Sequence, residues 1–166
     1  MWHAYKFLFK HGIDIVNYGD VHVKVETYIG GCSNASRRTV GRYTLRIEGG
    51  MYGCDIVIAK NLVMTHAVVT LVHELVHYWL SYNDIKPSSN AAEEAVCELV
   101  ACVAAESMAT HELRQSQALL ARGYMRQCNP GEVEGVLRTM CNKSTSCVAL
   151  VNRLRTIAGF QGRPPK

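Results

Sequence analysis

Residues 70–80 of this 166-residue chain read TLVHELVHYWL, and the chain on either side is best interpreted from this stretch. His73 and His77 are four residues apart, so a helix places both imidazoles on one face. The residues that flank them are uncharged and mostly apolar, which predicts a helix buried in the core. This helix is expected to end near Ser81, because Pro87 in the following loop bars its continuation.

The segments before this helix have the patterns of β-strands. Residues 21–26 and 43–48 alternate between apolar and polar side chains, and residues 55–60 (DIVIAK) follow a Gly-Gly turn. We therefore predict an α+β protein, with a small antiparallel sheet in the N-terminal third, an active-site helix and a mostly helical C-terminal part. Helical periodicity and capping residues predict helices over residues 62 or 65 to 81, 90–110, 112–127, 130–141 and 145–158. Residues 1–20 give no prediction of secondary structure, but their aromatic side chains are expected in the core: Trp2, Tyr5, Phe7 and Phe9.

Composition limits the class of protein. The chain is 48% hydrophobic and 19% charged, which excludes a disordered chain and fits one domain over residues 1–166. No apolar run reaches the roughly 18 residues of a membrane span. The first residues, MWHAYKFLFKHG, do not resemble a secretory signal. We therefore expect an intracellular protein without a membrane segment.

Seven cysteines are present, and no two of them form a C-x-x-C pair. This argues against a structural zinc knuckle and favours free thiols. Cys141 and Cys147 flank a polar turn and could pair if the chain meets an oxidising environment.

The chemistry is expected at residues 73–77, which read H-E-x-x-H. Two neutral imidazoles one helical turn apart can bind one Zn²⁺ ion. Glu74 lies about 100° around the helix from His73, where it can take a proton from a metal-bound water. Random order gives roughly 0.02 such motifs in a chain of this composition. Burying these ionisable groups without a role would be costly.

The third metal ligand is expected in residues 90–101, NAAEEAVCELVA. Asn90 and Glu93 have the spacing of a variant capping box, which gives Glu93 a structural role. Glu94 and Glu98 are four residues apart on one helix face. We predict Glu94 as the third ligand and Glu98 as the carboxylate that holds a ligand histidine through its other ring nitrogen. An exchange of roles between Glu93 and Glu94 is the main alternative.

HELVHYWL followed by EEAVCE resembles the gluzincin metallopeptidases, and the short gap resembles the compact minigluzincins. The metzincin class is excluded because residue 83, where it would need a histidine, is Asn83. The resemblance covers residues 70–105 and implies a zincin-like fold and cleavage of a protein or peptide substrate. It also implies a sheet whose edge strand binds extended peptide, and either DIVIAK or YTLRIEG could be that strand.

The donor that stabilises the transition state stays open at this point. His66, Tyr78, His111 and Tyr124 are the candidates, and His66 lies one heptad before His73. For each of them, packing or a surface position is the simpler interpretation.

Two other functions compete with peptidase activity. One is a zinc-binding protein that no longer cleaves and serves in interaction or regulation. The other is a nucleic-acid-associated module that uses Arg37 and Arg38, with Arg42 and Arg46 nearby. Glu74 favours cleavage, because a purely structural site needs no base beside an open metal position.

Overall fold

The computed structural model describes residues 1–15, 20–27, 40–48 and 51–160. The chain is α+β, with a small sheet in its N-terminal part and a helical remainder, as the sequence predicts. In chain order the elements are α1 (Trp2–Lys10), β1 (Asp20–Glu26), β2 (Gly41–Glu48), β3 (Met51–Ala59), α2 (Met64–Tyr82), α3 (Asn90–Ser107), α4 (His111–Met125), α5 (Pro130–Lys143) and α6 (Val148–Ala158), with a 3₁₀ turn (Thr145–Cys147) before α6.

The sheet has the strand order β1-β3-β2 and is mixed. β2 and β3 pair antiparallel, from Gly41 opposite Ile58 to Glu48 opposite Met51. β1 pairs parallel to β3, so the prediction of a wholly antiparallel sheet is wrong for this strand. The short 49–50 connection forces β2 and β3 into a hairpin, whereas the longer 27–40 connection lets β1 reach the far side of β3 in either direction. β2 is therefore an edge strand, and DIVIAK belongs to the middle strand.

Helix α2 is buried over most of its length, and this fixes the position of the motif. Its apolar side chains lie in the main hydrophobic cluster, together with residues of β3, α3, α5 and α6. Trp79, one of the largest fully buried side chains, is 1% exposed. The H-E-x-x-H segment is therefore held on a rigid element in the interior.

The helix starts follow capping chemistry. Asn129 accepts a hydrogen bond from the Gly131 N–H, and Pro130 is the first residue of α5, as predicted. The capping box at Asn90 is wrong: α3 is capped by Ser89, whose side chain accepts from the Ala92 N–H.

Helix α1 has no counterpart in the sequence prediction. Ala4 and Leu8 face the core, and Tyr5 and Phe7 are partly buried against it. Trp2 and Phe9 are 74% and 66% exposed, so the expectation that they are core residues is wrong. They are seven residues apart and share one face of α1, opposite the stripe that packs inward.

The cysteines, the two loop arginines and the absence of a membrane span were also predicted from the sequence. Cys141 and Cys147, like the other cysteines in the described residues, are free thiols, and Cys32 lies outside those residues. Arg37 and Arg38 also lie outside the described residues. Within the part of the chain that the structure describes, no helix combines the length and the apolar character needed to cross a membrane.

Candidate metal centre

His73 and His77 lie side by side on α2. Their Nε2 atoms are 3.1 Å apart, as expected for residues one helical turn apart. The two rings meet edge to face, with centroids 4.9 Å apart. The side chains of both residues are mostly buried, so these two nitrogens converge in a region with limited access to solvent.

Glu94 reaches both imidazoles from α3. Its Oε2 atom is 3.3 Å from His73 Nε2, and its Oε1 atom is 3.6 Å from His77 Nε2. One ligand atom from each of the three residues lies within 4.8 Å of the others. The three side chains can therefore share one metal ion.

Two further carboxylates of α3 approach the opposite side of the rings. His77 Nδ1 donates a hydrogen bond of 2.7 Å to Glu93 Oε1. Glu98 Oε1 is 3.6 Å from His73 Nδ1, which is longer than a hydrogen bond. Such partners on Nδ1 leave Nε2 as the metal-binding nitrogen. Glu93 thus contacts His77, one of the candidate ligands, and its predicted role in a capping box is wrong.

The carboxylates change the protonation of the metal-free site. Burial by itself would lower the pKa of His73, but Glu94 and Glu98 have the larger effect and raise this pKa to about 10. The pKa of His77 is also raised, because Cys97, Glu93 and Glu94 outweigh burial. Burial raises the pKa of Glu94, and the two imidazoles lower it by more. Without metal, protons on the rings therefore balance the negative charge.

Glu74 lies on α2 between the strand β2 and the two histidines. It is 7% exposed, and burial raises its pKa above the ordinary value, although His73 and His77 act in the opposite direction. A raised pKa is typical of glutamates that act as general bases near neutral pH.

Tyr43 of β2 completes the surroundings of His77. The two rings are parallel within 5°, with centroids 6.1 Å apart, and Tyr43 is also 6.3 Å from Tyr78. Burial raises the pKa of Tyr43, although the Ser81 side chain and His77 lower it. This contact was not predicted from the sequence. The signal available was the strand alternation, which puts Gly41 and Tyr43 on the same face of β2.

The proposed transition-state donors occupy different positions. Tyr78 is fully buried, and burial together with nearby ionisable groups raises its pKa to about 12. His66 lies in the first turn of α2, about 10 Å along the helix axis from His73. His111 begins α4 and is within hydrogen-bond distance of Gln115, at 2.8 Å. Tyr124, near the end of α4, packs against the hydrophobic core.

The arginines of β2 lie on its other face. Arg46 is 3.3 Å from His22 Nδ1 and 3.4 Å from Asp55 Oδ2. Its guanidinium is therefore engaged within the sheet, which weakens the case for a phosphate-binding patch that includes it.

Comparisons with known proteins assign no family to this chain. A scan against family models, a search of curated proteins and a search of solved structures each gave no match.

Proposed function

We propose that this protein is a zinc-dependent endopeptidase, with His73, His77 and Glu94 as metal ligands and Glu74 as general base. One observation carries the proposal. Ligand atoms of His73 and His77 on α2 and of Glu94 on α3 lie within 4.8 Å of one another, and the buried Glu74 lies beside the two histidines on α2. A structural metal site has no use for that glutamate.

The donor set fits zinc better than the common alkaline-earth cations. Two imidazole nitrogens and one carboxylate are ligands of catalytic zinc, and they leave a position for water. Ca²⁺ and Mg²⁺ prefer sites built from oxygen. Zinc bound there would supply a Lewis acid that activates water and polarises a carbonyl group at neutral pH.

The residues of the chain would divide the remaining work. Glu74 accepts a proton from the attacking water and delivers it to the departing amine. Glu93 holds the His77 ring through its 2.7 Å hydrogen bond, so that Nε2 stays directed at the ligand position. Glu94 provides a carboxylate that is already ionised, since its pKa is lowered.

The edge position of β2 supports an extended peptide as substrate. Along the edge away from β3, β2 has no strand partner among the described residues, so its backbone N–H and C=O groups can pair with an added strand. Its inner face contacts α2 beside Glu74. A peptide paired with β2 would therefore run past the candidate site.

Metal analysis and proteolysis of three variants test the proposal. Glu74→Gln should retain one zinc per chain and lose about 10²–10⁴-fold in cleavage of an unfolded protein, because only the base is removed. Glu94→Ala should lose zinc affinity. Glu112→Gln, an exposed residue in the first turn of α4, is the matched control and should behave as wild type. Unchanged proteolysis in Glu74→Gln, or unchanged zinc affinity in Glu94→Ala, would contradict the assignment.

A further inference from the structure

One face of α2 packs against the inner face of β2. Thr70, Glu74, His77, Tyr78 and Ser81 are spaced i, i+4, i+7, i+8 and i+11, so they fall within an arc of about 100°. The Glu74 carboxylate is therefore directed at the strand as well as at the histidines.

Gly41, the first residue of β2, lies directly over this carboxylate. A Cβ atom built on Gly41 would be 2.5 Å from Glu74 Oε1, 2.6 Å from Thr70 Cγ2 and 3.1 Å from Glu74 Cδ. Two of these distances are too short for any non-bonded carbon contact. The space that holds the Glu74 carboxylate exists because residue 41 has no side chain.

This glycine is needed for space and not for its backbone conformation. Its φ is not in the left-handed region, in contrast with Gly12 and Gly159. A Cβ on Gly123 would meet nothing within 4 Å, and one on Gly12 would meet the backbone of Ser146 and Cys147 instead of a side chain of the candidate site. Among the described glycines, Gly41 is therefore the one at which an added Cβ would meet Glu74.

We propose that Gly41 is a positioning residue for the general base: by lacking a side chain, it fixes where the Glu74 carboxylate lies relative to the metal ligands. This inference rests on the proposed function. An added methyl group must push the carboxylate or Thr70 aside, since a buried side chain has few other places to go. The clash does not involve His73, His77 or Glu94, so metal binding is left intact.

The test compares Gly41→Ala with Gly123→Ala and with the double variant Gly41→Ala/Thr70→Ser. In zinc-loaded protein, Gly41→Ala should lower kcat by about 10- to 100-fold through misplacement of the base. KM and zinc affinity should stay within about twofold. The double variant removes Thr70 Cγ2 but keeps the 2.5 Å clash with Glu74 Oε1, so it should recover little of the lost kcat. Gly123→Ala should match wild type.

Crystal structures of zinc-loaded wild type and Gly41→Ala provide a readout that does not depend on cleavage. We expect the Glu74 carboxylate to be displaced while the three ligand side chains superimpose. Wild-type kcat in Gly41→Ala with Glu74 in place would overturn the inference. A double variant that regains wild-type kcat would also overturn it, because the loss would then come from Thr70 and not from the carboxylate. A wild-type protein without zinc-dependent cleavage would refute the proposed function instead, and the carboxylate displacement would still test the role of Gly41.

Discussion

Glu93 and Glu98, the two carboxylates that face the Nδ1 atoms of the candidate metal centre, should contribute unequally to zinc affinity. Glu93 accepts a 2.7 Å hydrogen bond from His77, whereas Glu98 stands 3.6 Å from His73. Replacing Glu93 by Gln keeps the size of the side chain but removes the charge that strengthens the bond. Loss of such a partner typically costs about 10- to 100-fold in metal affinity. This range corresponds to about 1.4–2.8 kcal/mol.

Glu98→Gln should cost less than about tenfold, because its contact with His73 is too long for a hydrogen bond. Glu98 is 8% exposed, and its Oε2 atom has no hydrogen-bond partner among the described residues. Removing a charge from such a position also removes a desolvation cost. This gain is opposed by the loss of a carboxylate that favours the protonated His73 ring, so we expect the stability of the metal-free Glu98→Gln variant to stay close to that of wild type.

The measurement is competition for zinc with a chromophoric chelator, at one pH and one ionic strength, for wild type and both variants. Thermal unfolding of the metal-free proteins shows whether each variant is folded. Glu112→Gln again controls for the loss of one negative charge. If Glu98→Gln loses as much zinc affinity as Glu93→Gln or more, distance does not set the contribution, and the reasoning is wrong.

The structure also predicts how stability and zinc affinity depend on pH, and what the loss of one helix cap costs. In EDTA, the free energy of unfolding should fall by at least about 2 kcal/mol between pH 6 and pH 8.5 in urea titrations, because the raised pKa of His73 stabilises the folded state only while the ring holds its proton. His73→Asn should reduce this slope without abolishing it, since the raised pKa of His77 contributes in the same direction. Zinc affinity should rise about tenfold per pH unit for each proton that zinc displaces, which isothermal titration in several buffers measures. Asn129→Ala should cost about 1 kcal/mol in thermal unfolding, through loss of the α5 cap, while Asn152→Ala should cost less.

The fold class and the helix of the motif could be predicted from the sequence because they depend on local periodicity. The residues of α2 repeat with a helical period over several turns, and the β2–β3 hairpin is set by a short turn. The direction of β1 could not be predicted, since it depends on a long connection and on which edge of β3 is free. Helix α1 was missed because only Ala4 and Leu8 form its buried stripe.

Within the candidate site, too, contacts that depend on how two elements pack together could not be predicted from local sequence patterns. The approach of Glu94 to the histidines follows from two patterns, each of which is local to one helix. The contact of Glu93 with His77 depends on how α3 is rotated and shifted against α2, and no pattern within α3 reports this. The contacts of Gly41 and Tyr43 depend on where β2 crosses α2, which is also a tertiary property.

The structure surrounds the H-E-x-x-H helix with two elements that act on different atoms. From α3, carboxylates approach the ring nitrogens of both histidines, so changes on α3 should act on metal affinity. From β2, Gly41 contacts the Glu74 carboxylate and leaves the ligand atoms alone, so a change there should act on proton transfer. Tyr43 is the exception on β2, because its ring lies parallel to His77. On the proposed function, substitutions on α3 and at Gly41 should therefore separate metal affinity from proton transfer, and Tyr43 is the position on β2 whose substitution should act on metal affinity through His77.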